Sequence, residues 1–204
     1  MEREKELNDQ LLYIDQKMYP DKVKKTITFF EKNKLDFKLS RNKEAFSCVD
    51  AAQKRYRDGE VGIPLKDELK TYFGEYKVSK YEKHLILINL SGQDRIDFKK
   101  IRSILKISKG IRLASKETME LFNIEYGQVN PFLIHELFYN SKTFNVFGSL
   151  TVLFDKDLQI EKSTMMTNAG ELSWGIEFSL VNVVYSFSEV IYDKSFIKII
   201  EDEN

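Results

Sequence analysis

At 204 residues and 24.0 kDa, with 42% hydrophobic and 31% charged residues, the chain has the composition of one ordinary globular domain, which excludes wholesale disorder and fibrous repeats. Thirty-two basic residues balance thirty-two acidic ones, so net charge gives no sign of a polyanion partner; one cysteine, Cys48, and two histidines leave no disulfide and few metal ligands, and no cofactor is expected. No apolar run is long enough for a membrane span and the charged start does not fit a signal peptide, so the expectation is a cytoplasmic protein with no membrane partner.

Residues 1–20 are highly charged, with Leu7, Leu11, Leu12 and Ile14 at roughly helical spacing, which predicts an amphipathic helical extension ahead of a domain spanning 21–204. Asp21 is a plausible N-cap for a helix that places Val23, Ile27 and Phe30 on one face and ends near Lys34, before a short strand at Leu35–Leu39. Ser47 followed by Asp50 reads as an acidic capping box opening a helix through Ala51 and Ala52, with Gly59 as its stop. Leu85–Leu90 reads as a buried strand, leaving through a Ser91-Gly92 turn to a helix with Phe98, Ile101, Ile104 and Leu105 on one side. Ile111–Ala114 predicts a further strand and Ser115 starts a helix that stops near Asn123. After a Gly-Asn-Pro loop at 127–132, strand-like runs dominate: 143–155, 158–166, 174–184 and 195–200. Helices and strands mix without regular alternation, so an α+β domain with a mixed sheet flanked by helices is favoured over a doubly wound parallel fold.

Several short signatures, in order, resemble the YbaK/prolyl-tRNA-synthetase-associated (ProX-like) family of aminoacyl-tRNA editing domains. Phe30–Lys34 before a short strand, and Cys48–Ala52 at an alanine-rich helix, are similar to the family's opening units. Leu69-Lys70-Thr71 matches its Lys-Thr at the start of a strand pair, Ile96–Ile101 its strand-into-helix segment, Gly127–Phe132 its G-x-x-x-P loop, and Thr167–Gly170 its last glycine turn. Each is weak alone; together they cover residues 26 to about 200. The resemblance implies a strongly curved mixed sheet and a freestanding, trans-editing deacylase, which hydrolyses the aminoacyl ester of mischarged tRNA without a metal. Its implied partners are aminoacylated tRNA and a synthetase. A non-catalytic tRNA- or synthetase-binding module of the same fold is the alternative, and a sensing pocket for a free amino acid or nucleotide a third.

By the same match, Lys70 is the catalytic candidate, since its point charge can hold a phosphate and stabilise charge developing on an oxygen. Thr71 would orient it or pack as a strand residue. Gly127, Gln128, Val129, Asn130 and Pro131 would form the loop under the aminoacyl group, or a plain turn, and Asn168 and Gly170 the opposite wall. Some members carry an acidic or histidine side chain where this chain has Gly175, with Trp174 and Glu177 nearby. Lysines crowd 22–38 and basic residues crowd 99–112; Lys99, Lys100 and Arg102 are the candidate nucleic-acid contacts, with solvated helix faces the alternative. Cys48 with His84 or His135 is read as a buried small residue rather than a nucleophile pair, and Asp94, Asp97 and Glu125 as surface carboxylates.

Overall fold

A computed structural model describes residues 18–79, 82–107, 110–140, 146–158, 163–189 and 197–200. The expected N-terminal extension lies outside the described residues as far as residue 17. Pro20, not Asp21, is the N-cap of α1 (Asp21–Lys32), and Val23, Ile27 and Phe30 are buried as their spacing predicted, with Thr26 and Phe29 beside them. β1 (Phe37–Arg41) follows two residues later than expected.

Ser47 caps α2 (Cys48–Lys54): its hydroxyl accepts from the Asp50 N–H at 3.1 Å, while the Asp50 carboxylate accepts from the Phe46 N–H at 3.0 Å. The helix ends before the expected stop at Gly59. Arg55 leaves it to bury its guanidinium against Glu68, and Asp58 and Gly59 instead form the left-handed turn between β2 (Tyr56–Arg57) and β3 (Glu60–Val61). A 3-10 turn at Leu65–Asp67 leads into the long hairpin β4 (Leu69–Lys77) and β5 (Lys83–Ser91). Asp97 caps α3 (Phe98–Leu105), and Ser115 caps α4 (Lys116–Leu121) just after the two-residue β6 (Arg112–Leu113).

The second half holds α5 (Pro131–Asn140), β7 (Leu150–Asp155), β8 (Thr164–Asn168), β9 (Trp174–Ser179), α6 (Leu180–Glu189) and β10 (Ile197–Ile200). Helix α5 was not anticipated. The run from Leu180, expected as strand, is helical: Leu180, Val183, Val184 and Phe187 are all buried, at the spacing of one helix face.

The described strands form a five-stranded mixed sheet in the order β10-β7-β5-β4-β6, a three-stranded antiparallel sheet β1-β9-β8 and the β2-β3 hairpin. A parallel bridge from Glu68 to Met166 joins the two larger sheets just ahead of β4. β5 is central and covered on both faces, which is why Leu85–Ile88 are consecutive apolar residues, with Leu90 after the buried Asn89. Alternation sorts its side chains between two clusters. Leu85 and Leu87 join the larger one, with α1, α5, α6 and an aromatic centre in which Phe30 meets Phe132 at 4.6 Å between ring centroids. Ile86, Ile88 and Leu90 join the smaller one, with Ile101 of α3, Tyr76 and Leu153. The chain is an α+β domain whose mixed sheet is flanked by helices, as expected.

Candidate active site

β6 pairs with β4 only at Gly74 and Glu75, so among the described residues the edge of β4 from Lys70 to Tyr72 pairs with no strand. A cavity of about 240 Å³ opens along that edge. The segment before α2 and the start of that helix (Ala45, Phe46, Cys48) form one side of it. The others are Leu113 of β6 with Ala114 just after it, the 126–129 loop, and Thr167, Asn168 and Leu172. Leu172 ties two of these walls together, since its carbonyl accepts from the Ala45 N–H at 3.1 Å and its side chain lies against Gly127. At the mouth Phe46 and Tyr126 are 72% and 73% exposed, two aromatic faces turned to solvent.

Lys70 and Thr71 both line this cavity. The Lys70 ammonium donates to Gly92 O at 3.1 Å and to Asp94 O, the two carbonyls that carry β5 towards α3, and stands 5.8 Å from the Tyr72 ring centre. An ammonium has three donors, and these two carbonyls take two of them. Thr71 turns away from that role: its hydroxyl donates to Asn89 Oδ1 at 2.8 Å, and Asn89 Nδ2 donates to Leu153 O at 3.0 Å, a hydrogen-bonded line across three strands.

The remaining expected site residues divide. Gly127, Val129 and Asn168 line the cavity. Asn168 also fixes the loop opposite, since Nδ2 donates to Val129 O at 2.8 Å. Gln128, Asn130, Pro131 and Gly170 are not among the lining residues. Gln128 is a buried knot, accepting from Lys22 Nζ at 2.6 Å and from the Glu125 N–H at 3.0 Å and donating to Glu171 at 3.1 Å. Asn130 is fully buried and accepts from the Leu133 N–H at 2.8 Å, holding the first turn of α5, which Pro131 begins. Gly170 backs onto Lys22 of α1. These four shape the loop from behind.

The cavity wall also holds a buried ion pair absent from the expected set. Arg55 and Glu68 line it, and burial pushes the Glu68 carboxyl up while the charge and hydrogen bonds of Arg55 pull it the other way. Gly175 is explained by this pair rather than by the ligand. A Cβ there would lie 2.9 Å from Ser40 Oγ and 3.0 Å from Arg55 Nη1, so the missing side chain makes room for the guanidinium. Glu177 is not a substitute, because it is spent on Arg57 at 2.6 Å and Lys38 at 3.3 Å.

Cys48 lines the cavity, but burial, with Glu68 adding to it, pushes its thiol up and away from thiolate chemistry. His84 is engaged by Glu82 and Ser149, and His135 packs on Phe29 and Phe187, so neither meets Cys48 as a base. Lys99 is exposed, and Lys100 and Arg102 are half-buried, on or beside the helix that follows the Lys70 anchor. In the other basic cluster Lys22, Lys32 and Lys38 are tied to Gln128, Glu136 and Asp58, and Lys109 lies outside the described residues.

An open strand edge, a lysine at its start and a glycine loop facing it frame one cavity in an α+β domain. The model of the aminoacyl-tRNA editing domain matches residues 44–173, more than half of the chain, and the chain belongs to that family. The match contains every expected cavity residue and excludes α1, β1 and everything from β9 onward. The fold is shared with the crystal structure of hypothetical protein APE2540, at TM-score 0.61 and 15% identity over 86% of this chain and 98% of that one. It is shared as well with a candidate trans-editing enzyme for prolyl tRNA synthetase, at TM-score 0.56 and 15% identity over 91% of this chain and 99% of that one. No curated protein matches the chain in sequence. Among the described residues no helix is long and apolar enough to cross a membrane.

Proposed function

We propose that the chain is a trans-editing aminoacyl-tRNA deacylase, hydrolysing the ester of a mischarged tRNA in the cytoplasm, with the acyl group held in the cavity at the edge of β4. The observation that carries this is the meeting of Lys70 with Gly127, Val129 and Asn168 around one cavity. An aminoacyl ester is already activated, so positioning accounts for much of what the site must do. With two N–H groups held by Gly92 and Asp94, Lys70 presents its third to a phosphate or to the carbonyl oxygen. In the second case it stabilises the charge that forms when water or the neighbouring ribose hydroxyl attacks. Phe46 and Tyr126 offer stacking faces to unpaired bases at the mouth, and Lys99, Lys100 and Arg102 offer charge to the acceptor stem.

The anchoring of Lys70 by two carbonyls also favours a second reading, a tRNA- or synthetase-binding module in which this lysine only holds a turn. One assay separates the two. Incubation with a panel of mischarged tRNAs is expected to release the amino acid from at least one, and Lys70→Ala is expected to abolish release with the melting temperature kept. Tight tRNA binding without release from any member of the panel selects the second reading, and unchanged release by Lys70→Ala removes this lysine from the mechanism.

A further inference from the structure

On the other side of β6 lies a second cavity, of about 200 Å³, lined by Glu75, Tyr76, Lys77, Lys83, Gly110 and Arg112. Its charge is lopsided, three cations against one carboxylate, and that carboxylate is already used. Glu75 is 2% exposed and accepts from Arg112 Nε at 2.6 Å, from Arg112 Nη2, and from Thr118 Oγ1 at 2.7 Å. It therefore fixes the Arg112 guanidinium in place while the Arg112 side chain stays 62% exposed. Glu117, an acid within electrostatic reach of Lys83 and Arg112, is committed to its own backbone N–H and to Ser115.

Lys77 and Lys83 are direct cross-strand partners in the β4-β5 ladder. Like charges placed opposite each other in a ladder are destabilising, and the one carboxylate lining the cavity is already spent on Arg112 and Thr118. An anion between the two lysines and Arg112 would offset the repulsion. The position of the cavity says which anion. Arg112 lines it, and the next residue, Leu113, lines the cavity that holds Lys70, so β6 is a partition whose two Cα atoms are about 3.8 Å apart.

We propose that Lys77, Lys83 and Arg112 seat a backbone phosphate of the RNA strand whose 3′ end enters the cavity at Lys70. This rests on the tRNA reading above, and it adds a phosphate site separate from the α3 face. Phosphate binding of this kind sets register and orientation rather than acyl selectivity.

The test uses the whole chain and an unacylated hairpin RNA with a single-stranded 3′ tail, its affinity measured by anisotropy over a range of salt. Lys77→Gln/Lys83→Gln is expected to bind about tenfold more weakly, with a salt slope smaller by about 0.7 for each phosphate no longer neutralised. Its melting temperature is expected at or above that of wild type, because a repulsive pair is gone. Lys25→Gln/Lys34→Gln, which removes equal charge from the α1 end, is expected to change neither affinity nor slope. Equal affinity and slope in the cavity variant and wild type would overturn the proposal, as would equal weakening by the α1 variant. Inorganic phosphate binding at matched ionic strength as tightly as the RNA would make this a small-anion site and overturn the RNA assignment. Wild type that binds the RNA through these lysines yet deacylates nothing would fail the proposed function while leaving this site standing.

Discussion

Arg55 and Glu68 meet through two parallel hydrogen bonds, Nε to Oε2 at 3.1 Å and Nη2 to Oε1 at 2.8 Å, with side chains only 2% and 4% exposed. This fork-to-fork pair joins the residue that ends α2 to the residue that precedes β4, and so holds two walls of the cavity at a fixed separation. Removing one partner leaves the other as an uncompensated buried charge, which costs about 3–5 kcal/mol. Arg55→Ala and Glu68→Ala are each expected to lower stability by that order in denaturant unfolding. The double variant is expected to lose much less than the sum, because neither charge is then left alone. Additive losses would mean that the two groups are not coupled.

Gly175 is expected to tolerate nothing larger. A methyl group there meets Ser40 Oγ and Arg55 Nη1 at 3.0 Å or less, with Arg55 Cδ at 3.3 Å behind them, and overpacking of this kind costs about 1–3 kcal/mol. Gly175→Ala should lower the melting temperature, and Gly175→Asp should lower it without raising deacylation. A gain of activity in the aspartate variant would show that the position faces the substrate after all.

Acid is expected to loosen α3. The Asp97 carboxylate accepts from the Lys100 and Lys99 N–H groups, and these bonds hold its pKa below the ordinary aspartate value. A depressed folded pKa gives stability that is present above the unfolded value and is lost as pH falls through the folded one. The contribution should therefore be complete at neutral pH and fade below about pH 4. Asp97→Asn keeps a capping oxygen without the titration. Its stability relative to wild type should improve as pH drops through that window, measured by paired thermal melts. A constant difference across the window would contradict the assignment.

The elements legible in sequence were those governed by nearby residues. Ser47 and Ser115 cap the helices whose starts they mark, whereas Asp97, read only as a surface carboxylate, caps α3, and the two-faced burial of β5 shows in the apolar run Leu85–Ile88. Where distant partners decide, local pattern misleads: α2 stops at Lys54 because Glu68 claims Arg55, and the valine-rich segment after Ser179 is helical because the aromatic core offers it one face. The site divides in the same way. Lys70, Gly127 and Asn168 carried recognisable motifs, whereas Arg55, Glu68, Phe46 and Tyr126 reach the cavity through tertiary packing that no spacing encodes. Gln128 and Asn130 belong to a matching motif for a structural reason, as the knot and cap behind the loop.

The division of β5 between two clusters has a consequence for motion. The smaller cluster rests on α3, and the carbonyls that hold Lys70 belong to the turn leading into that helix. Opening of a cooperative unit need not wait for global unfolding, and units with less buried apolar packing open first. In hydrogen exchange, amides of α3 are therefore expected to exchange with solvent before those of α1 and α5. The Lys70 corner is expected to outlast that opening, because the Gly92 N–H is bonded to Glu68 O at 2.7 Å and the Asp94 N–H to Ser91 O at 3.0 Å, and neither acceptor belongs to α3.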